Sequence, residues 1–474
     1  MTPTLTQLIL LQSACCLVGW LVFFRESTLP KGIQLLTVIA YLTTPLTLLV
    51  KGTQSAVYAS DLILPFLVLA LVFSSQGDHR TTSPITLVLT LTLVGLPLLL
   101  LPFHVLASGG EVGMGARNVN GDIIWIYRNL TYAALFAYGV HSALSGAQFL
   151  SFVRLNVLLG GILAAFGILH YFGPVNLAIF EMLTWRDWVQ EGYQESHAGL
   201  GFMGLYRASV GQWFATIVML IAGTLAWQPT RSKLVGTLVM VLGIGMVLLS
   251  HSRAGMIGLG LGLLMLGYFG RGIGSRIIAG FGVAALFLWI GVQGDMFSDR
   301  VTSIFTGAQH ATDRVKAWEK AVEYFTARPD SLALGVGPTN RAAVAKITGA
   351  YGAHNEYLDA VFRLGVAGLI GILLALWLLL KRSLLAPRNA DAILNGIATT
   401  IGVTVTINIV MGISQDHLLH DYASNTMGVL LYLIYGVGIG TIQHNHKEVS
   451  TEQELAAPWM PRTSRRLEEG IAHS

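Results

Sequence analysis

Residues 233–270 read KLVGTLVMVLGIGMVLLSHSRAGMIGLGLGLLMLGYFG, and Arg253 is the one formal charge between Lys233 and Arg271. A helix needs about 20 predominantly apolar residues to cross the hydrocarbon of a bilayer. Two such runs stand here back to back, 233–250 and 254–270, joined by a short polar link. Gly255, Gly258, Gly260 and Gly262 crowd the second run. A phosphate-cradling loop would need a strand before it and a free helix N-terminus behind it. Inside an apolar span, small residues instead let neighbouring helices approach closely.

Working outward, further runs lie near 7–24, 33–50, 59–75, 84–106, 130–147, 152–172, 209–227, 275–293, 357–380, 394–413 and 425–442. The whole chain of 474 residues is 53% hydrophobic and 11% charged, where a soluble domain carries about 25% charged residues. There is too little polar surface to cover a water-soluble body. The expected fold is an all-α polytopic membrane protein with about 12–13 transmembrane helices. The runs at 59–75, which is short and contains Pro65, and at 130–147 are the weakest. The first run lacks a basic leader and ends at Arg25, so it reads as a retained helix. Cys15 and Cys16 are adjacent in that run and offer no disulfide framework. No basic stripe with interleaved aromatics and no zinc spacing appears, so no nucleic-acid partner is expected. No internal repeat is visible.

Lysine and arginine in short connections set orientation. Arg25 with Lys31, Arg80, Arg154, Arg231 with Lys233, Arg271 with Arg276, and Lys381 with Arg382 and Arg388 fall in alternate connections. That side is the expected cytoplasm, with the C-terminus inside and the N-terminus outside. The expected organisation is a bundle over 1–293, a large outer loop over 294–356, C-terminal helices over 357–442 and a disordered cytoplasmic tail over 443–474. Segments 107–129 and 173–208 are the other long outward stretches.

The large loop has its own pattern. Val315, Trp318, Val322 and Phe325 recur at helical spacing, predicting an amphipathic helix over 312–326. Arg328-Pro329 stops it, Gly335-Val336-Gly337-Pro338 makes a turn, and a second short helix is expected from Thr339 to about Ile347. In 176–190, Phe180, Leu183, Trp185 and Trp188 among charges suit either an interfacial helix or a loop packed on the bundle.

Six arginines lie on the outward side against the bias: Arg117, Arg128, Arg186, Arg207, Arg253 and Arg314. A cation there snorkels to lipid phosphates, pairs with an acid or binds an anion. Several converging near one loop favour an anion, and guanidinium forks match phosphate oxygens. No Asp-x-Asp pair is present to hold a metal against a nucleotide diphosphate. Arginines could therefore stabilise a leaving diphosphate, such as the head of a polyprenyl carrier, as its charge develops.

His354 stands in Ala353-His354-Asn355-Glu356-Tyr357-Leu358, where the loop re-enters the membrane. Histidine is suited to taking a proton near neutral pH, although a solvated or capping histidine is the plainer reading. Asn355 is the expected N-cap of the next helix, with Glu356 and Asp359 in its first turn. A further cluster, Asp416-His417-Leu418-Leu419-His420-Asp421, joins the last two helices. It reads as a polar loop near the substrate, with a metal site the rarer alternative. No Gly-x-Ser-x-Gly elbow accompanies it.

Over about residues 200–380 these pieces resemble the O-antigen ligase and polymerase superfamily of bacterial membranes. Arg207 with Gly211 is similar to its arginine–glycine stretch. Leu249-Ser250-His251-Ser252-Arg253-Ala254-Gly255 is similar to its Ser-Arg-small-Gly motif. Arg314 to Trp318, Arg328-Pro329 and Leu334-Gly335-Val336-Gly337-Pro338 resemble its loop opening and glycine turn. His354-Asn355-Glu356-Tyr357-Leu358, then Arg363-Leu364-Gly365 and Gly368, resemble its His-Asn motif and following helix. The resemblance implies a glycosyltransferase of the inner membrane, metal-independent and without cofactor, with its site facing the periplasm and its large periplasmic loop carrying short helices. It implies inverting transfer of a glycan from undecaprenyl diphosphate to a lipid or glycan acceptor. Carried over by position, His354 would be the base or orienter for the acceptor hydroxyl, and Arg207, Arg253 and Arg314 would hold the diphosphate. Asn355, Glu356, Tyr357, Arg117, Arg128 and His417 are the expected substrate-binding neighbours. The family commonly has twelve helices with both ends inside, from which this reading departs at the N-terminus. A ligase and a repeat-unit polymerase would share these motifs, with ligase the reading adopted. A transporter or flippase for a lipid-linked anion is the competing class. It would call for intramembrane charges and broken helices in paired halves, and the central spans are nearly free of charge.

Overall fold

The computed structural model of the protein describes residues 29–42, 47–49, 56–74, 83–108, 119–172, 207–227, 233–250, 252–269, 276–277, 279–280, 282–284, 309–338, 341–348, 355–385, 392–413, 418–419 and 425–456. The expected helix at 7–24, most of that at 275–293 and the segment 176–190 lie outside these residues. What is described is an all-α polytopic membrane protein, with one two-stranded ribbon as its only sheet among the described residues.

The first described helix, α1 (Leu29–Leu42), is shorter than the run at 33–50 suggested. It ends three residues before Pro45, which has no N–H and disfavours helix in the residue preceding it. The ribbon follows, β1 (Thr47–Leu49) pairing antiparallel with β2 (Ala56–Tyr58). Next comes α2 (Ala59–Ser74), which holds Pro65 within it. The 84–106 run becomes α3 (Pro84–Thr90) and α4 (Leu96–Ser108), joined by a π turn at Leu91–Gly95. Two helices follow, α5 (Val119–Ser142) and α6 (Gly146–Tyr171). The central trio is α7 (Arg207–Trp227), α8 (Lys233–Leu249) and α9 (Arg253–Phe269). The loop contributes α10 (Gln309–Ala327), α11 (Pro329–Leu334) and α12 (Arg341–Thr348). The chain closes with α13 (Glu356–Ser383), α14 (Ala392–Gly412) and α15 (Asn425–Ala456). Among the described residues, four helices are long and apolar enough to cross a bilayer: Pro84–His104, Gly146–Leu169, Glu356–Ser383 and Ala392–Gly412. Shorter apolar helices run over Val210–Leu225, Leu234–Leu249 and Ala254–Phe269.

Two boundaries depart from expectation for physical reasons. The expected span 130–147 begins at Val119 instead, inside a stretch read as an outer loop. Its opening turns carry Asp122, Arg128, Asn129 and Thr131, which are buried. These groups are satisfied within the bundle, so polarity there does not mark a loop. Asn129 Nδ2 donates to the Trp125 carbonyl and Arg128 pairs with Asp61 of α2. The last helix does not stop near 442 but runs to Ala456. Lys, Glu, Gln, Leu and Ala favour helix, and no proline intervenes before Pro458.

Glycine seams set the packing. In α5 and α15, a Cβ on Gly139 would lie 2.6 Å from the Val437 nitrogen, and one on Gly440 2.6 Å from the Val140 oxygen. Such backbone contact is the small-residue mode of intramembrane association. The glycines of α9 act likewise: Gly258 faces Met411 of α14, and Gly262 faces Met219 and Ile407.

The loop helix α10 buries a face other than the one its valines suggested. Ala317, Ala321 and Phe325 are buried, whereas Val315 is 48% and Val322 58% exposed. Alanines at i and i+4 lower the ridge that meets a neighbour, letting Phe325 pack on Phe362 with ring centroids 4.7 Å apart. Hydropathy ranks valine above alanine, and that misplaced the stripe. Pro329 does end α10, and it also opens α11 from the first helical position, where its missing N–H costs nothing.

Candidate functional site

Among the described residues, the N-termini of α7, α9 and α13 gather at one end of the bundle. Packing across α7, α9 and α14 fixes this. Thr216 of α7 accepts a hydrogen bond from Asn408 of α14 (3.3 Å), while Gly223 faces Thr400. These two helices therefore run antiparallel, and α14's C-terminus meets α7's N-terminus. Gly258 on Met411 and Gly262 on Ile407 place α9 the same way. At the end of α14, the Ile413 carbonyl accepts Asn355 Nδ2 (3.0 Å) and the Ile409 carbonyl accepts the Tyr357 hydroxyl (2.7 Å). The N-termini of α7, α9 and α13 thus converge, and each brings the positive end of a helix dipole to that end.

Arg207 is the first residue of α7 and Arg253 the first of α9. A Cβ on Gly255 would lie 2.6 Å from the Gly211 carbonyl carbon, so the opening turns of the two helices touch through their backbones. Both arginines start from that crossing, one turn before Gly211 and two residues before Gly255. The serine of the Ser-Arg-small-Gly stretch has a local task. Ser252 Oγ accepts the Gly255 N–H (3.1 Å) and caps α9, while Ser250 Oγ donates to the Val247 carbonyl (2.7 Å) as α8 ends. The motif is a helix–cap–helix corner with an arginine on it.

Asn355 is the N-cap of α13, its Oδ1 accepting the N–H of Tyr357 (3.0 Å) and of Leu358 (3.1 Å). Glu356 is fully buried, and its two carboxylate oxygens accept the N–H groups of Leu418 (2.9 Å) and Leu419 (2.8 Å). The Tyr432 hydroxyl donates to the Leu418 carbonyl (2.9 Å). The expected substrate-binding trio therefore fastens the α13 N-terminus to the α14 end and to the link before α15. His354, the residue before Asn355, lies outside the described residues, as do Arg117, Asp416, His417, His420 and Asp421.

Arg314 is half-buried on α10, whose far end packs through Phe325 on α13. Arg128 takes the acid-paired course open to an outward cation. Its guanidinium nitrogens donate to Asp61 Oδ2 (3.3 and 3.2 Å), with its side chain 3% exposed. Asp61 stands 67 residues from Arg128, so sequence spacing gives no sign of this pairing at a position expected to bind substrate.

The glycine turn of the loop is docked on α13. Gly335 and Gly365 have φ of 75° and 69°, in the left-handed region. Gly365 breaks α13 within its length, and a Cβ on Gly335 would lie 2.8 Å from the Gly365 nitrogen. The Val336 N–H donates to the Phe362 carbonyl (2.6 Å). Arg363 pairs with Asp359, donates to the Pro338 carbonyl (2.8 Å) and lies 5.8 Å from the Trp125 ring centroid. His104 Nε2 meets the Leu334 carbonyl at 2.7 Å; a carbonyl only accepts, so that nitrogen carries the proton. His104 and Gln212 were not singled out from sequence, since each is a lone polar residue in an apolar run.

Residues 238–373 match the family model described as O-antigen ligase. The match takes in Arg253, Arg314, His354, Asn355, Glu356, Tyr357 and Gly365, and leaves Arg207 outside it. No curated protein matches the chain. Residues 238–373 of this membrane protein are thus similar to the O-antigen ligase family.

Proposed function

We propose that the protein is an integral-membrane glycosyltransferase of the O-antigen ligase type. It moves a glycan from undecaprenyl diphosphate to an acceptor hydroxyl at the periplasmic face of the inner membrane. The observation that carries this reading is the convergence of α7, α9 and α13. Two of those helices begin with arginine, and His354 immediately precedes the N-cap of the third. Converging helix N-termini, two of them opening on arginine, suit a dianionic leaving group whose charge grows as the glycosidic bond breaks.

In this mechanism the acceptor oxygen attacks the anomeric carbon and its proton passes to His354. The bond from that carbon to the diphosphate breaks with inversion. The electron pair leaves with the diphosphate, held by Arg207, Arg253 and Arg314. Asn355, Glu356 and Tyr357 keep the α13 N-terminus in place. Arg117 and His417 complete the substrate surround, and Arg128 supports it through Asp61.

The test is a product assay with purified protein and a lipid-linked glycan donor, with and without a lipid core acceptor. A glycosylated core is the ligase outcome; a longer glycan on the carrier is the polymerase outcome of the same site. His354→Ala should insert normally and transfer nothing. Arg253→Lys keeps charge but loses the fork, and undiminished transfer by either variant would remove its assigned role.

A further inference from the structure

Gln212 lies on α7 just beyond the Gly211–Gly255 crossing. It is fully buried, and among the described residues neither its Nε2 nor its Oε1 has a hydrogen-bond partner. A buried amide with both ends unpaired is rare and calls for an unseen guest or a functional role. Its place in the helix narrows the choice. Thr216, one turn on, donates to the Gln212 carbonyl (3.0 Å) and accepts from Asn408 Nδ2. Gln212 therefore lies on the α7 face turned toward α14. Because the two helices are antiparallel, it is level with α14's last turn, where Ile409 and Ile413 hold Tyr357 and Asn355. By helix rise, Gln212 is about 7.5 Å along the axis from Arg207.

We infer that Gln212 is a binding residue for a glycan hydroxyl, at the floor of the end where the two arginines begin their helices. This rests on the glycosyltransferase reading. A carboxamide offers a donor and an acceptor side by side, which suits a neutral hydroxyl and does not suit a phosphate. A hydroxyl that donates to Oε1 and accepts from Nε2 satisfies both orphaned atoms at once. The resting protein bears an unsatisfied group, as sites held ready for a ligand do.

Gln212→Met and Gln212→Leu keep much of the volume without the hydrogen bonds. Each is measured for membrane insertion, thermal midpoint and transfer kinetics, varying donor and acceptor separately. The expected result is an unchanged or higher midpoint with KM raised about tenfold, the cost of one lost hydrogen bond. A rise in donor KM assigns the hydroxyl to the lipid-linked glycan; a rise in acceptor KM assigns it to the acceptor. A higher midpoint with unaltered kinetics overturns the inference, since the amide then serves an ordered water only. Loss of folding in both variants also overturns it, because the amide would then be a structural anchor. Wild-type protein without any transfer removes the glycosyltransferase reading and this one together, whereas wild-type transfer with indifferent variants removes this one alone.

Discussion

Gly211 of α7 and Gly255 of α9 meet backbone to backbone, with the site of an added Cβ on Gly255 2.6 Å from the Gly211 carbonyl carbon. That contact holds together the two helix ends that begin with Arg207 and Arg253.

Gly255→Ala should therefore push the ends apart. The obstacle is backbone, so it cannot yield as a side-chain tip would. Overpacking of this kind costs about 1–3 kcal/mol, read as a lower thermal midpoint in detergent, and glycan transfer should fall more steeply than stability. An unaltered midpoint and rate would mean that the helices part without consequence.

Glu356→Gln tests the clasp on Leu418 and Leu419. A carboxamide can accept only one of the two N–H groups and turns a donor toward the other. Leaving a buried donor unmet costs about 1–3 kcal/mol. Limited proteolysis should then cut the link between α14 and α15 faster than in the wild type; equal cutting would show that the carboxylate does not hold it.

Gly365→Ala places a Cβ against the Ala333 carbonyl at a φ of 69°. The left-handed conformation costs a non-glycine residue about 1–2 kcal/mol, before the clash is counted. Detachment of α11 should appear as faster hydrogen exchange at the Val336 amide, which bonds the Phe362 carbonyl. Unchanged exchange there would disprove the docking role of the kink.

Arg363→Lys keeps a cation beside Asp359 but cannot also span to the Pro338 carbonyl and the Trp125 ring. Arg363→Met leaves Asp359 buried without its partner, which costs about 3–5 kcal/mol. The expected order of thermal midpoints is wild type, lysine, methionine. A methionine variant as stable as the wild type would contradict the pairing.

Asp61→Leu should destabilise the protein by removing the carboxylate to which the buried Arg128 donates, and adding Arg128→Met should restore part of that loss. Transfer by the double variant at near wild-type rate would assign the pair to structure. Loss of transfer from a stable double variant would return Arg128 to the substrate.

The fold was legible where the physics is local. Apolar runs long enough to cross a bilayer gave α6, α7, α8, α9, α13 and α14 within a few residues, because length and hydropathy alone decide whether a segment can live in hydrocarbon. The Asn355 cap was legible for the same reason, since a side chain bonding N–H groups two and three residues on needs only its own turn. The α5 start was not, because its buried polar residues are balanced by partners such as Asp61 that sequence spacing does not bring near.

Of the candidate site, the sequence by itself determined the residue types and their order: arginines at the heads of two helices, a glycine turn, and a histidine before a cap. Tertiary structure decided that α7, α9 and α13 open at one end, that Arg128 pairs with Asp61, and that Gln212 has no hydrogen-bond partner for its amide among the described residues. The reason is range. Helix boundaries follow from residues a turn apart, whereas convergence, pairing and the lack of a partner depend on segments far apart in the chain, brought together by glycine seams such as Gly211 on Gly255.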